Sequence, residues 1–207
     1  MRRNYLIAAA TAALVAALLL PGCGKKEERT GTEAAGKKVV MIIAPRDFRD
    51  EELFDVKSAL EAAGATVRVA CTSLDEATGM LGGKAKPDVL VGDLDVADFD
   101  AVIFVGGAGA RVYWDNPTAH HIASLTDKYG KVLGAICFAP VTLAKAGVLD
   151  SRKATVWKSE KDALEAMGAE YTGADVEVDG EIITANGPEA SEEFAEAIIK
   201  ALAAQGD

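Results

Sequence analysis

Cys137 is the residue in this sequence with the clearest potential for covalent chemistry. It follows the apolar run 132–136 and precedes Pro140, so it lies at the junction of a predicted strand and a predicted helix. Ala135 and Ala139 flank it at the spacing of the small residues that relieve crowding around a nucleophile elbow. A cysteine at a helix N-terminus also feels the positive end of the helix dipole, which favours the reactive thiolate. The alternative is a small buried cysteine with a packing role.

Two further segments follow predicted strands and could contribute groups to the same site. The first is the charged loop 45–52, which includes Glu52, and the second is the glycine-rich turn 106–109. In open α/β sheets, ligands bind beyond the carboxyl ends of the strands. We therefore expect both segments to meet Cys137 at one edge of a sheet.

Buried strands alternate with amphipathic helices along the chain. Residues 38–44 form a continuous apolar run, typical of a strand buried on both faces, and residues 50–63 repeat apolar side chains at helical spacing. Residues 176–183 alternate around an Asp-Gly turn, which predicts a hairpin. The other predicted strands are 66–71, 80–81, 89–91, 101–105, 132–136 and 154–157, and the other predicted helices are 117–129, 138–146, 160–167 and 189–203. This alternation predicts a doubly wound α/β sandwich.

Four motifs together resemble those of the ThiJ/PfpI family, which includes deglycases and intracellular proteases. They are the acidic helix start 48–53, the Gly106-Gly107 turn, the elbow 135–137 and the segment 186–189. The resemblance covers roughly the whole domain. It implies a flavodoxin-like three-layer α/β/α sandwich with a mostly parallel sheet, like that of the class I glutaminases, and a homodimer.

The resemblance also implies roles for individual residues. The nucleophile is Cys137, and Glu52 is the helix-start glutamate that hydrogen-bonds the thiol in the family. The oxyanion donors are the backbone N–H groups of Gly107 and Phe138.

Two positions depart from the family pattern. Many members have a His directly after the Cys, where this chain has Phe138, and others have a His on the following strand, where this chain has Trp157. A cysteine hydrolase needs a proton carrier for the leaving amine, usually His. Glu52 is the remaining candidate, and a carboxyl pressed against a thiolate should have a raised pKa. This favours thiolate addition to a small carbonyl compound over amide cleavage.

Three functions follow from these residues. The first is a glyoxalase- or deglycase-type enzyme that acts on small reactive carbonyls such as 2-oxoaldehydes, with Cys137 as nucleophile and Glu52 as proton shuttle. The second is a cysteine peptidase or amidase of the PfpI type. The third is a non-enzymatic thiol redox sensor or holdase, since an exposed thiol of low pKa oxidises to the sulfinic acid.

Several side chains near the expected site have both a functional and a structural interpretation. Gly106, Trp114 and Trp157 are candidates for the pocket wall, although core packing suits Trp114 equally well. His120 and His121 follow an Asn-Pro helix start. We expect one of these rings to face solvent and the other to pack inward.

The N-terminus predicts export and lipid anchoring. Arg2 and Arg3 precede the uncharged, largely apolar segment 5–20, typical of a signal peptide, and the Leu-Pro-Gly-Cys sequence that ends at Cys23 resembles a bacterial lipobox. The resemblance implies cleavage before Cys23, acylation, and anchoring to the periplasmic or extracellular face of a bacterial membrane. The alternatives are an ordinary signal peptide with a chance Cys and an uncleaved anchor. The predicted organisation is a signal peptide (1–22), a flexible tether (23–36) and one domain (37–204).

Charge and cysteine content indicate which ligands and partners the protein binds. The net charge is −10, and loss of Arg2 and Arg3 with the signal peptide takes it to −12, which argues against nucleic acid. Cys71 and Cys137 lie in separate strand contexts and make no disulfide framework. The sequence has no Cys-x-x-Cys and only two His, which are adjacent, so we predict no metal site and no cofactor. The expected partners are a small carbonyl substrate, the membrane and a second copy of the chain.

Overall fold

The secondary structure alternates as the sequence predicts. The computed structural model describes residues 33–205. The strands are β1 (Lys38–Ile42), β2 (Arg46–Phe48), β3 (Thr66–Cys71), β4 (Ala77–Gly79), β5 (Lys84–Ala85), β6 (Val89–Leu90), β7 (Ala101–Phe104), β8 (Val132–Ile136), β9 (Lys153–Ala154), β10 (Glu170–Tyr171), β11 (Val176–Asp179) and β12 (Ile182–Ala185). The α-helices are α1 (Asp50–Ala62), α2 (Pro117–Lys128), α3 (Pro140–Lys145), α4 (Lys161–Ala166) and α5 (Ser191–Ala204).

A seven-stranded sheet organises the domain. Its order is β11-β12-β8-β7-β1-β3-β6, and every pair is parallel except the β11–β12 hairpin. The central strands β1, β7 and β8 are buried along nearly their whole length. Their carboxyl ends therefore lie side by side at one edge of the sheet.

Helices cover both faces of the sheet. Apolar residues of α1 and α5 pack on one face, around Leu53 and Phe194, while α2, α3 and α4 pack on the other, around Leu143 and Leu164. The result is a flavodoxin-like three-layer α/β/α sandwich, as the sequence predicted.

The strand predicted at residues 80–81 is wrong. Met80 and Leu81 lie in the turn between β4 and β5. The buried carboxylate of Asp50, at the start of α1, accepts hydrogen bonds from the backbone N–H groups of Leu81 at 2.8 Å and Gly83 at 2.7 Å. Because these groups bond to a side chain, they are unavailable to a neighbouring strand.

The elements that adjoin Cys137 are shorter than predicted. The helix predicted at 138–146 begins only at Pro140, because residues 137–139 form a turn. The strand predicted at 154–157 ends at Ala154. Beyond it, the N–H of Thr155 bonds to Thr184 Oγ1 and the N–H of Trp157 bonds to the carbonyl of Cys137, so this segment pairs with no strand.

The end of the predicted tether is part of the folded domain. Residues 33–36 form a turn in which Ala34 is fully buried, and the backbone N–H of Ala34 donates to the carbonyl of Ala63 at 2.9 Å. The predicted signal peptide and Cys23 lie outside the described residues. Within residues 33–205, no helix is both long and apolar enough to cross a membrane.

Candidate active site

The structure brings the three predicted segments together at the carboxyl edge of the sheet. Strand β1 leads through β2 to Glu52 in the first turn of α1, β7 leads to the Gly106-Gly107 turn, and β8 leads to Cys137. Because β1, β7 and β8 are neighbours, groups far apart in the sequence meet at one point.

Cys137 has the backbone of a nucleophile elbow. Its φ is +61°, a left-handed conformation that costs a non-glycine residue about 1–2 kcal/mol. The strained turn is held from both sides, because the N–H of Cys137 donates to the carbonyl of Ala185 and the N–H of Trp157 donates to the carbonyl of Cys137, each at 2.9 Å. The flanking Ala135 and Ala139 are buried. Rigid support of a strained residue is characteristic of functional sites.

Glu52 is fixed beside the thiol and fully buried. Its Oε2 accepts the backbone N–H of Gly106 at 2.9 Å, and the carbonyl of Gly106 in turn accepts the N–H of Arg49 at 3.1 Å. Glu52 Oε1 makes no hydrogen bond of ordinary geometry to the described residues. Burial of a carboxylate oxygen without a hydrogen-bond partner costs free energy, so this oxygen needs either a proton or a partner.

Gly106, predicted as a pocket residue, allows this close approach of the carboxyl to the thiol. A Cβ at this position would lie 2.5 Å from Glu52 Oε2, 2.5 Å from the carbonyl oxygen of Ile136 and 2.6 Å from Cys137 Cβ. Only a residue without a side chain can therefore occupy the turn that separates the carboxyl from the nucleophile.

Cys137 and Glu52 affect each other's pKa in opposite directions: Glu52 raises the pKa of the thiol, whereas the hydrogen bond from Cys137 lowers the pKa of the carboxyl. Burial raises the pKa of Glu52 to about 8, against smaller lowering effects from its hydrogen bonds with Cys137 and Gly106. Burial and the negative charge of Glu52 also raise the pKa of the Cys137 thiol, while hydrogen bonds from the backbone of Gly107 and Phe138 lower it. At neutral pH the carboxyl is therefore largely protonated, which removes the repulsion that opposes thiolate formation.

The expectation that a helix dipole favours the thiolate of Cys137 is not met. The helix α3 has only six residues and begins three residues after Cys137, and Cys137 is only 4 % exposed. Desolvation is the largest influence on its pKa. The pair is thus built for proton exchange between carboxyl and thiol, with two backbone N–H groups placed to stabilise negative charge.

An aromatic cluster surrounds the residue that follows the nucleophile. The rings of Trp114 and Trp157 lie 6.4 Å and 6.3 Å from the ring of Phe138, and Trp114 Nε1 donates to the carbonyl of Phe138 at 3.0 Å. Both tryptophans predicted as pocket residues therefore contact the elbow. Trp157, where other family members have a His, is 39 % exposed.

Arg111 belongs to this cluster and was missed by the sequence analysis. Its guanidinium lies 4.4 Å above the centre of the Phe138 ring and 5.1 Å above that of Trp114. Its position four residues after the Gly106-Gly107 turn was the available signal, but a lone arginine in a loop gives no indication of what it contacts.

The two histidines differ in their surroundings. His120 is half-buried and its Nε2 donates to the carbonyl of Trp114 at 2.8 Å, whereas His121 is exposed. One ring packs inward and the other faces solvent, as predicted. His120 therefore steadies the loop that carries Trp114.

No disulfide joins the two described cysteines. Both Cys71 and Cys137 are free and buried. Residues 33–205 also contain no group of three or more His, Cys, Asp or Glu side chains arranged to hold a metal ion.

The fold and the site together place this chain among the flavodoxin-like proteins with a cysteine elbow. Its strained cysteine lies between two backbone N–H donors and contacts a buried glutamate. The sequence profile of the DJ-1/PfpI family matches residues 37–201, and the chain belongs to this family. The resemblance read from the motifs is thereby confirmed.

Individual relatives match this chain along most of their own length. An uncharacterized protein of Methanocaldococcus jannaschii, MJ0967, is 37 % identical over 93 % of each chain. The deglycase TK1284 of Thermococcus kodakarensis is 31 % identical over 72 % of this chain and 90 % of its own. The crystal structure of a ThiJ/PfpI domain protein from Brachyspira murdochii superimposes with a TM-score of 0.79 at 32 % identity, over 84 % of this chain and 98 % of that one.

Other relatives carry different functional names. A protein of Caenorhabditis elegans is named a glutathione-independent glyoxalase, at 28 % identity over 82 % of this chain and 90 % of its own. A Bacillus subtilis protein is named a putative cysteine protease, at 30 % identity over 76 % and 94 %. The family thus includes proteins named as enzymes of more than one kind.

Proposed function

We propose that this protein is a cysteine-dependent enzyme that acts on small reactive carbonyl compounds, in the manner of a glyoxalase or deglycase. The observation that carries the proposal is the contact between the Cys137 thiol and the buried carboxyl of Glu52, whose pKa is near 8. A group with a pKa near neutrality can both donate and accept a proton during one reaction.

The first step is addition of Cys137 to an aldehyde such as that of methylglyoxal. The sulfur bonds to the aldehyde carbon, the thiol proton passes to Glu52, and the carboxyl delivers a proton to the carbonyl oxygen. The product is a hemithioacetal. Backbone N–H groups of Gly107 and Phe138, the two donors beside the sulfur, would stabilise the oxyanion as it forms.

The later steps return the thiol. Glu52 moves the proton from the former aldehyde carbon to the neighbouring carbon, while the hydroxyl proton moves to the ketone oxygen. Water then hydrolyses the resulting Cys137 thioester. Methylglyoxal and one water molecule thus become lactate, with no net oxidation or reduction.

The two alternatives have less support. A peptidase needs a proton donor for the leaving amine, and positions 138 and 157 hold Phe and Trp. A redox sensor needs a thiol of low pKa, whereas burial raises the pKa of the Cys137 thiol.

Lactate formation from methylglyoxal by the purified domain tests the proposal. We expect turnover without added thiol, its loss in Cys137→Ser, and a fall of about 100-fold or more in Glu52→Gln. Cys71→Ser is the matched control, because Cys71 is a buried thiol of β3 and has no part in the proposed reaction. Equal rates in the wild type and Cys137→Ser would refute the proposal.

Members of this family are commonly dimeric, and we propose a homodimer here. The exposed apolar side chains of Phe54, Met80 and Leu81 support it, since the turn that carries Met80 and Leu81 is tied to the start of α1. We expect Leu81→Asp to produce a monomer in sedimentation experiments. Val178→Asp, at a similarly exposed apolar position on β11, should leave the mass unchanged.

We further propose export and lipid anchoring through Cys23, on the basis of the lipobox-like sequence. Expression in a bacterial host should give a membrane-associated product whose N-terminal residue is an acylated Cys23, detectable by mass spectrometry. Cys23→Ala should abolish the modification. A wild-type product without acylation would contradict the proposal.

A further inference from the structure

Arg111 is a cation placed against the nucleophile elbow, and the proposed reaction gives it no task. Its guanidinium stacks at 4.4 Å on the ring of Phe138, whose own backbone N–H bonds to the Cys137 sulfur. The positive charge therefore lies against the residue that directly follows the nucleophile.

The known contacts of Arg111 leave it able to bind a ligand. Its side chain is 48 % exposed, and one terminal nitrogen makes a single 3.2 Å contact with Glu160 Oε1, an oxygen that also accepts the hydroxyl of Ser159. A guanidinium has five N–H donors, so one such contact leaves most of them for another acceptor. Contact with the rings of Phe138 and Trp114 restricts the motion of the guanidinium, which reduces the entropy lost when a carboxylate binds to two of its nitrogens.

We infer that Arg111, held on Phe138 and Trp114, is a subsite for a carboxylate and selects reactive carbonyl compounds that carry one. The inference rests on the proposed function, because it assigns the substrate class of the same cysteine. The net charge of the whole chain is −10, so its surface as a whole repels anions. A cation beside the elbow would therefore help an anionic substrate to approach the thiol.

Alkylation of Cys137 by two reagents of matched shape tests the inference without relying on turnover. In both iodoacetate and iodoacetamide, the sulfur bonds to the methylene carbon and iodide leaves, but only iodoacetate carries a carboxylate. The ratio of their rates at Cys137, followed by mass spectrometry, reports the preference for an anion. Any change in access to the thiol affects both reagents and cancels in the ratio.

We expect the iodoacetate-to-iodoacetamide ratio to fall by about fivefold to tenfold in Arg111→Met, as for loss of one partly exposed charge at short range. It should rise in Glu160→Gln, which removes the competing carboxylate. Arg68→Met is the matched control: this arginine bonds to the carbonyl of Asp88 and lines a cleft with Lys38 and Thr66 at the amino ends of their strands, so the ratio should not change.

The outcomes separate this inference from the proposed function. A ratio unaffected by Arg111→Met overturns the subsite, while lactate formation from the neutral methylglyoxal would still stand. A Cys137 that reacts with neither reagent and forms no lactate contradicts both.

Discussion

The backbone N–H of Gly106 donates to Glu52 Oε2 at 2.9 Å, and this bond fixes the proton carrier beside the nucleophile. A side chain on Gly106 would overlap Glu52 Oε2, Ile136 O and Cys137 Cβ. The relative position of carboxyl and thiol therefore depends on a glycine that takes no part in the chemistry.

Gly106→Ala should impair both activity and stability. The added methyl group meets fixed backbone and the nucleophile itself, so we expect a loss of about 1–3 kcal/mol in the free energy of unfolding. A displacement of about 1 Å between carboxyl and thiol would lower kcat by roughly 100-fold. Lactate assays and urea denaturation measure the two effects. Gly92→Ala is the control, because a Cβ there meets nothing within 4 Å; equal effects of the two substitutions would contradict the packing argument.

The raised pKa of Glu52 makes stability depend on pH. The pKa of Glu52 is about 8 in the folded protein, against 4.5 as the ordinary value, so between these two pH values the folded protein holds a proton that the unfolded chain has lost. The stabilising difference is complete below pH 4.5 and is lost as the pH rises to 8. The wild type should therefore lose on the order of 3 kcal/mol of unfolding free energy, relative to Glu52→Gln, between pH 5 and pH 8.

Urea denaturation of both proteins at several pH values within this window tests the prediction. The substitution preserves an oxygen that can accept the N–H of Gly106, and comparison with the variant removes the contribution of all other titrating groups. Cys137 does not interfere, because its thiol pKa is raised above its ordinary value of 9.0. A difference between the two proteins that is constant with pH would show that Glu52 titrates normally.

The backbone strain at Cys137 predicts that glycine at this position destabilises the protein less than glycine usually does. Replacement of a buried alanine by glycine in a strand normally costs about 1–2 kcal/mol, through a lost methyl group and a more flexible unfolded chain. At φ +61° glycine also removes strain of about 1–2 kcal/mol. We therefore expect Cys137→Gly and Cys137→Ala to differ in unfolding free energy by less than about 0.5 kcal/mol.

Ala135→Gly is the matched control for this prediction. Ala135 is buried two residues upstream, within the regular strand β8, and should show the ordinary cost. If the step from Ala to Gly at position 137 costs as much as it does at position 135, the elbow stores no strain.

Much of the fold could be predicted because the residue pattern of each buried strand is visible in the sequence. Strands β3 and β8 agree with the predicted ranges 66–71 and 132–136, since the valines of β3 and the apolar run of β8 favour strands buried in a sheet. The same strand ends located Cys137 and Glu52. The sequence also showed that Phe138 and Trp157 stand where other family members have a His.

Other features depend on contacts that no local pattern records. The turn at Met80 is determined by the carboxylate of Asp50, which is distant in the sequence. The stack of Arg111 on Phe138 depends on how two loops meet. The thiol pKa follows from burial, which the sequence argument from a helix dipole underestimated. Each error arose where a tertiary contact outweighed a local preference.

Asp50 provides a final prediction, because its carboxylate holds the turn that carries Met80 and Leu81. Both of its oxygens accept backbone N–H groups, from Leu81 at 2.8 Å and Gly83 at 2.7 Å, and the residue is only 8 % exposed. Asp50→Ala should therefore lower the unfolding free energy by about 2–4 kcal/mol, since two bonds to a charged acceptor are lost. Asp55→Ala, at an exposed position of the same helix, should change it by less than about 0.5 kcal/mol. Limited proteolysis should cut the Asp50→Ala variant within residues 79–83 faster than the wild type. Unchanged cleavage there, together with unchanged stability, would show that the turn holds its shape without the carboxylate.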